Sequence, residues 1–391
     1  MIVTLDQRLF ELGAPALLDA MRFVLAAIER RHVLLMDPAW DPEDNRQPVH
    51  RWLGAMPEVI IEAVHKKMEE SLDEAANMGA SVSRIRAEPI PRSKWNAGVL
   101  SREDALRLMQ TPLWLVLENG RNDLMFLRRI LERKDRDALD EHLAEGRVEV
   151  PLGGGTGELK VFLENLATLP DAPSQSRETT SWIRRLRSWV MFDRDAHPDD
   201  RSKPSKISES LRELCAQMMR PRPFPGHQLG RRTIENYLPI EALHAWAVAG
   251  GGAEKRQRRE QVEAFKSDDF GAQRRACFEM KEGFVKDVAN AIRDDLKQHK
   301  LKQRKLTQRK LKQCKLTQRA RWLDEHELPT VFQGLQNTEL RNHLNRGFGD
   351  KIAALYGDPA MDDRWFWRVF EADADAQAWR KRLVESLWAV L

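Results

Sequence analysis

The chain has 391 residues, of which 42% are hydrophobic and 32% are charged, and its formal net charge at neutral pH is only +4. This length is enough for two or three domains with cores of their own, and the near balance of charges excludes both a histone-like polycation and an acidic polyanion. No run of about 18 apolar residues occurs, so we expect no membrane-spanning helix and no membrane partner.

The N-terminus and the cysteines indicate a reducing compartment. The first residues, MIVTLDQRLFELG, lack the basic segment and the apolar core of a secretion signal. The three cysteines, Cys215, Cys277 and Cys314, are far apart and follow neither a disulfide pattern nor a zinc-binding pattern. We therefore expect a cytoplasmic protein.

Residues 1–108 are predicted to be mostly helical. Apolar residues recur at helical spacing in APALLDAMRFVLAAIERRHVLL and again in PEVIIEAVHKKMEESLDEAANMG. Ser101 is a predicted N-cap, and acidic residues occupy the first turn of the helix that follows it. This region shows no evident chemistry, so we expect a helical accessory domain, or a dimerisation domain that would make the protein a homodimer.

From residue 109 to residue 290, short apolar runs alternate with amphipathic segments. PLWLVLEN, RVEVPL and SWVMF are predicted strands, and the segments DLMFLRRILERKDRDALDEHLAEG and ELKVFLENLATL between them are predicted helices. This order predicts an α/β fold, with a parallel sheet flanked by helices. In such sheets, ligands bind beyond the carboxyl ends of the strands.

Acidic residues follow the predicted strands at those carboxyl ends. Glu118 ends the first strand and Asp123 opens the next helix, whereas the third strand runs into Asp193 and Asp195. Glu235 lies further on, in GRRTIENYLP. On an extended backbone, side chains two residues apart point the same way. Two carboxylates about 4 Å apart repel by roughly 4 kcal/mol at an effective dielectric constant of about 20, and Mg²⁺ or Mn²⁺ would remove that repulsion.

Each of these motifs has a simpler interpretation when it is taken alone. A D-x-D pair also occurs at solvated strand ends, E-N-G is common in turns, and Asp123 would also serve as the N-cap of the next helix. The loop GGGTG, residues 153–157, lacks the Gly-Lys-Ser/Thr ending of a nucleotide P-loop. For this loop we favour a tight turn from strand to helix over a phosphate cradle.

Residues 291–322 form a predicted basic helix with a leucine every five residues, LKQHK LKQRK LTQRK LKQCK LTQRA. Steps of five residues advance a helix by about 140°, so these leucines spiral around it instead of forming one stripe. Between Asp295 and Asp324 there are eleven lysines and arginines and no acidic residue. The helix either binds a nucleic-acid backbone or is a solvated, tolerated repeat expansion. Residues 323–391 are predicted to be a helical C-terminal region.

Four segments together resemble a TOPRIM domain, in the version found in overcoming-lysogenisation-defect (OLD) nucleases and in related stand-alone effectors. They are LWLVLENGRNDLMFL, VEVPLGGGTGELKVFLENL, SWVMFDRDA and GRRTIENYLP, and the resemblance covers roughly residues 111–290. TOPRIM domains bind one or two divalent cations and cut or rejoin nucleic-acid backbones. The first acidic motif departs from the usual E-G-x-x-D, because here it reads E-N-G-R-N-D.

The resemblance implies a metal-dependent nuclease and a role for each residue. The metal ligands that it implies are Glu118, Asp123, Asp193, Asp195 and Glu235. Glu118 would act as a ligand or as the general base, and Glu235 would complete a second metal position. Lys281, in FEMKEGF, would match a lysine that stabilises the transition-state phosphate.

The resemblance also implies partners. Many such nucleases carry an ABC-type ATPase on the same chain, but no P-loop occurs here. We therefore expect a separate ABC-type ATPase subunit, docked on the N-terminal region, or no ATPase at all. The resemblance implies a phage or plasmid defence effector, with DNA favoured over RNA as the substrate. The alternative is a non-catalytic module that binds nucleic acid or a partner, which the displaced first motif favours.

Overall fold

The computed structural model describes residues 1–11, 14–79, 82–151, 153–197, 200–284, 286 and 330–391. The basic repeat predicted within residues 291–322 lies outside the described residues, and so does Cys314. The predicted α/β fold class is confirmed. The described residues form two parallel four-stranded sheets with helices around them.

Sheet A is built from the N-terminal part of the chain. Its strands are β1 (Ile2–Asp6), β2 (Val33–Asp37), β3 (Arg84–Glu88) and β4 (Val99–Ser101). They lie in the order β2-β1-β3-β4, and every neighbouring pair is parallel. The helices here are α1 (Ala14–Glu29), α2 (Pro48–Leu53), α3 (Glu58–Asn77) and α4 (Arg102–Gln110), with short 3-10 helices at Gln7–Phe10 and Trp95–Ala97.

The prediction of a mostly helical region over residues 1–108 is wrong about these strands. The predicted helices are present as α1, α3 and α4, and Ser101 caps α4 by accepting a hydrogen bond from the backbone N–H of Asp104. The segment of β2 was assigned to the end of the preceding helix, because its apolar residues continue the helical pattern. In β3 the buried residues are only Ile85 and Ala87, which is too short an alternation to stand out.

Sheet B holds the three strands predicted from residue 109 onward. Its strands are β5 (Leu113–Leu117), β6 (Val148–Glu149), β7 (Ser188–Phe192) and β8 (Gly226–Gln228). The order is β6-β5-β7-β8, again with parallel neighbours throughout. Every residue of β7 is buried, which explains its continuous apolar run.

Helices cover both faces of sheet B. They are α5 (Arg121–Ile130), α6 (Arg133–Ala144), α7 (Gly155–Ala167), α8 (Ser176–Leu186), α9 (Lys206–Gln217), α10 (Ile240–Ala249), α11 (Gly252–Lys266), α12 (Gly271–Cys277), α13 (Thr338–Leu344), α14 (Asp363–Glu371) and α15 (Ala374–Trp388). Further 3-10 helices lie at Ile234–Tyr237, Thr330–Phe332 and Ile352–Gly357. In the part of the chain that the structure describes, no helix combines the length and the apolar character that a bilayer crossing needs.

The C-terminal helices share one core with sheet B. The ring of Tyr237 stacks on that of Trp379, with centroids 5.5 Å apart. The Tyr356 hydroxyl donates a hydrogen bond of 2.6 Å to the carbonyl of Ile234. The C-terminal region therefore packs against the 3-10 turn that carries Glu235 and stabilises it.

Candidate metal centre

The carboxyl ends of β5 and β7 lie side by side, and an acidic residue follows each of them. Leu117 at the end of β5 pairs with Met191 of β7, so Glu118 and Asp193 leave neighbouring strands at the same edge of the sheet. The backbone N–H of Asp193 donates a hydrogen bond of 3.1 Å to Oε2 of Glu118. The structure therefore brings these two predicted site residues together.

The GGGTG loop holds Glu118 from the other side. The Thr156 hydroxyl donates a hydrogen bond of 2.5 Å to Oε1 of Glu118, and the backbone N–H of Gly155 donates one of 3.3 Å to the Glu118 carbonyl. A Cβ on Gly153 would lie only 2.5 Å from that carbonyl oxygen. Only glycine permits this close approach, so the tight-turn interpretation accounts for the loop.

Asp123 lies in the first turn of α5 and is not its N-cap, because Gly120 takes that position. The Asp123 carboxylate instead accepts a hydrogen bond of 2.8 Å from the backbone N–H of Asn119. Burial raises the pKa of Asp123 to about 7; the Asn119 hydrogen bond opposes this shift, and the charge of Glu118 adds to it. Asp123 is thus a buried acid beside Glu118.

Asp193 and Asp195 do not share an extended backbone, so the geometric argument for their common direction is wrong. Strand β7 ends at Phe192, and Asp195 has a φ of +51°, where its backbone N–H donates a hydrogen bond of 2.8 Å to the carbonyl of Arg232. Burial, with the charge of Glu118, raises the pKa of Asp195 to about 6. The two residues still interact, because the charge of Asp195 contributes to the raised pKa of Asp193.

Asp193 is a buried acid whose surroundings disfavour its charged form. Only 8% of its surface is exposed, and burial, followed by the charges of its acidic neighbours, raises its pKa well above the ordinary value. Its carbonyl accepts a hydrogen bond of 2.6 Å from the buried Ser208 hydroxyl, which in turn accepts one of 2.7 Å from the side-chain amide of Gln228 on β8. Neighbouring elements therefore fix the backbone of Asp193.

The TIENY segment forms a rigid turn around Asn236. The Asn236 side-chain oxygen accepts a hydrogen bond of 3.0 Å from the backbone N–H of Thr233. Its amide nitrogen donates to the carbonyls of Arg275 and Phe278, at 2.8 and 2.9 Å. These bonds join the turn that carries Glu235 to the segment that leads to Lys281.

Glu235 and Lys281 form an ion pair. The Lys281 Nζ lies 3.0 Å from Oε1 of Glu235, whose surface is only 1% exposed. Burial opposes the charge on Lys281, but Glu235 outweighs it, so the lysine pKa is raised. The other carboxylate oxygen of Glu235 is buried and has no hydrogen-bond partner among the described residues. A buried, unsatisfied carboxylate oxygen is costly.

We call five carboxylates that lie together at this edge the acidic cluster: Glu118, Asp123, Asp193, Asp195 and Glu235. Each of the perturbed aspartates has its pKa raised by burial and by other members of the cluster. These shifts indicate that the nearby positive charges of Lys281 and Arg232 only partly offset the repulsion among the acids.

The chemistry of the acidic cluster fits a hard divalent cation such as Mg²⁺ or Mn²⁺. The unpartnered Glu235 oxygen and the raised pKa of Asp193 are the two observations that support this fit, because a cation would satisfy both. Among the residues that the structure describes, however, no three His, Cys, Asp or Glu side chains are grouped as a preformed metal site. The cluster is therefore an acidic pocket that would have to close around an ion.

Comparison of the chain with protein-family models, with curated proteins and with solved structures found no match. The TOPRIM resemblance therefore stays a prediction that rests on the quoted segments.

Sequence analysis missed two residues that contact the acidic cluster or its support. Thr156 lies inside GGGTG and Arg232 inside GRRTIENYLP, so both belong to motifs that were noticed for other residues. The Arg232 guanidinium is buried and donates a hydrogen bond of 2.7 Å to Glu279, next to the turn of Lys281. Sequence spacing does not reveal these contacts, because they join segments that are tens of residues apart.

Proposed function

We propose that the protein is a divalent-metal-dependent nuclease, which hydrolyses phosphodiester bonds in DNA or RNA with a TOPRIM-like domain. The observation that carries this proposal is the convergence of Glu118, Asp193 and the Glu235–Lys281 pair at the carboxyl edge of one parallel sheet. Parallel sheets bind ligands at this edge, and buried carboxylates beside a lysine suit cation-assisted chemistry on phosphate.

Each member of the site has a role in this proposal. Glu118, Asp193 and Asp195 would hold a first cation, and Glu235, with Asp123 nearby, would complete a second position. The bound metal would neutralise the scissile phosphate and lower the pKa of the attacking water. Glu118 would act as a metal ligand or as the general base.

Lys281 would stabilise the negative charge that develops on the phosphoryl oxygens. Its Nζ lies 3.0 Å from Oε1 of Glu235, and its side chain is 30% exposed, so the lysine is held in place while part of the side chain still reaches solvent. A donor that is already oriented needs no reorganisation during the reaction, and this is why such groups contribute strongly to catalysis.

The described residues nearest to the basic repeat on its two sides lie close to each other, and one of them acts on the acidic cluster. The rings of Phe284 and Phe332 are in contact, with centroids 5.1 Å apart, and the charge of Lys286 acts on the pKa of Asp195. The chain thus leaves for the repeat from a point beside the acidic cluster and returns nearby. Binding of the nucleic-acid backbone by the repeat stays a prediction from its sequence.

The wider assignments rest on the resemblance and on composition. They are a phage or plasmid defence role, a cytoplasmic location, a separate ABC-type ATPase subunit, a homodimer, and DNA as the favoured substrate. They belong to the proposal and are tested separately from the cleavage reaction.

The decisive experiment measures nicking of supercoiled plasmid by the wild type, Asp193→Asn and Asp137→Asn, with Mg²⁺, Mn²⁺ or EDTA. Asp137 is a matched control, because its side chain is 69% exposed on α6, where its ion-pair partner is Arg133 at 3.9 Å. We expect metal-dependent nicking, a loss of at least about 100-fold in Asp193→Asn, and no change in the control. Parallel reactions with tRNA and with a single-stranded oligodeoxynucleotide identify the substrate. Equal rates for wild type and Asp193→Asn would contradict the proposal.

The second candidate function is a non-catalytic module that binds nucleic acid or a partner. One observation favours it: the described part of the chain holds no preformed group of metal ligands. This alternative predicts binding of labelled DNA or RNA by the wild type without turnover under any metal condition.

A further inference from the structure

Both carboxylate oxygens of Glu118 already accept a hydrogen bond. Oε2 accepts from the backbone N–H of Asp193 at 3.1 Å, and Oε1 accepts from the Thr156 hydroxyl at 2.5 Å. The first donor comes from the neighbouring strand of the same sheet. The second comes from the first turn of α7, which begins within the GGGTG loop.

The geometry points to Thr156 as the positioning residue of the acidic cluster. We infer that its hydroxyl fixes the orientation of the Glu118 carboxylate and thereby sets the affinity of the cluster for a divalent cation. The inference rests on the proposed function and deepens it, because it names what prepares the first ligand for the metal.

The backbone of the loop makes this contact a rigid one. Gly153 lies directly against the backbone of Glu118, since a Cβ there would come within 2.5 Å of the Glu118 carbonyl and 2.7 Å of the Leu117 carbonyl. The backbone N–H of Gly155, where φ is +77°, donates to the same Glu118 carbonyl. The start of α7 is therefore docked on the main chain of Glu118, and not only on its side chain.

The side chain of Thr156 is also stiff. In a helix the χ1 angle of threonine or serine has few accessible rotamers, and the hydrogen bond to Glu118 selects one of them. Because the backbone on both sides of the contact is fixed, the hydroxyl oxygen has little freedom relative to Glu118. A donor held in this way removes rotational freedom from the carboxylate before any ion arrives.

Groups that orient a metal ligand through a hydrogen bond typically contribute 10–100-fold to metal affinity. Thr156 touches neither the substrate nor the ion in this inference, so its effect passes through Glu118 alone. A hydroxyl at this position should therefore be sufficient, and the methyl group of threonine should be dispensable.

The test measures Mn²⁺ binding to the full chain without nucleic acid, by the electron paramagnetic resonance signal of free Mn²⁺. The variants are Thr156→Val, which keeps the shape and loses the hydroxyl, and Thr156→Ser, which keeps the hydroxyl. Thr168→Val is the matched control, because the Thr168 hydroxyl at the C-terminal end of the same helix donates to the Glu164 carbonyl at 3.0 Å. Thermal unfolding of each variant verifies the fold.

We expect the Mn²⁺ dissociation constant to rise by about 10–100-fold in Thr156→Val and to stay near the wild-type value in Thr156→Ser and Thr168→Val. An unchanged constant in Thr156→Val, or equal losses in the Val and Ser variants, would overturn the inference alone. A wild type that binds no Mn²⁺ would overturn both the inference and the proposed function. If Thr156→Val binds Mn²⁺ more weakly than the wild type, but the wild type cleaves no nucleic acid, the inference is supported and the nuclease proposal is rejected.

Discussion

The two sheets have the same strand order and the same parallel direction, yet their carboxyl edges differ in charge. At sheet A, Arg8 donates to Asp6 at 2.5 Å, and Arg86 lies 2.5 Å from Asp37 and 2.9 Å from Glu88. Acidic residues therefore collect at both edges. At sheet A, each of these acids has an arginine partner.

At sheet B the compensation is only partial, because Lys281 pairs with Glu235 and the charge of Arg232 acts on Asp195, but the aspartates there keep raised pKa values. The Arg8 hydrogen bond lowers the pKa of Asp6, whereas burial and neighbouring acids raise the pKa of Asp123, Asp193 and Asp195. The comparison shows that the sheet topology determines where acidic residues gather. The nearby arginines and lysines determine how much of the negative charge at each edge is compensated. Of the two edges, that of sheet B is the one whose acids have raised pKa values, so a cation there would relieve repulsion.

The largest expected effect is an opposite pH response of the two edges. In metal-free protein, Asp123 has its pKa raised to about 7, so the folded state binds more protons than the unfolded chain between about pH 4 and about pH 7. The free energy of unfolding should then fall as the pH rises through this window, by at most about 4 kcal/mol for this residue. Asp6 acts in the opposite sense, because its lowered pKa gives stability that is lost only at acid pH.

Urea unfolding in EDTA, at intervals between about pH 4.5 and about pH 7.5, measures this response. The curve of Asp123→Asn should be flatter than that of the wild type, and saturating Mn²⁺ should flatten the wild-type curve as well. Identical pH dependence in wild type and Asp123→Asn would contradict the raised pKa.

The next effect concerns the cations at the two edges. Lys281→Met should lower the cleavage rate by about 100-fold, because it removes the donor for the developing phosphoryl charge. Arg86→Met should leave cleavage unchanged and lower the free energy of unfolding by about 1 kcal/mol, since Asp37 and Glu88 lose their partner at a partly exposed site. Plasmid nicking and urea unfolding of both variants separate the two roles. A large loss of cleavage in Arg86→Met would contradict the assignment of cleavage to the edge of sheet B alone.

The smallest expected effect is that the same Asp→Asn substitution changes the free energy of unfolding in opposite directions at the two edges. Asp6→Asn should destabilise the metal-free protein by about 1–2 kcal/mol, because it removes a charged partner from Arg8. Asp193→Asn should stabilise it at neutral pH, because a neutral amide replaces an acid whose charged form is disfavoured by burial and by neighbouring acids. Melting temperatures in EDTA give the comparison directly. Destabilisation by both substitutions would mean that the acidic cluster is satisfied without a metal.

Sequence predicted sheet B better than sheet A for a physical reason. Strand β7 is buried along its whole length and is therefore a continuous apolar run between polar segments. The apolar residues of β2 follow directly on α1, so no break in pattern marks the change from helix to strand. The acids at the end of sheet A were overlooked with their strands.

Only those site residues that directly follow a buried strand could be predicted from the sequence. Glu118 and Asp193 follow buried strands, and the parallel order brings such ends together. The left-handed backbone of Asp195 and the hydroxyl contact of Thr156 depend on loops that are shaped by distant segments. A pattern in one stretch of chain does not contain that information.

The support of the Ile234 turn by Tyr356 and Trp379 has a consequence for synthesis of the protein in the cell. Residues 330–391 are synthesised after all five acids of the acidic cluster, and the core around Glu235 is incomplete until they arrive. Co-translational assembly of the acidic cluster would therefore wait for the C-terminal helices, even though every one of its carboxylates has already emerged from the ribosome.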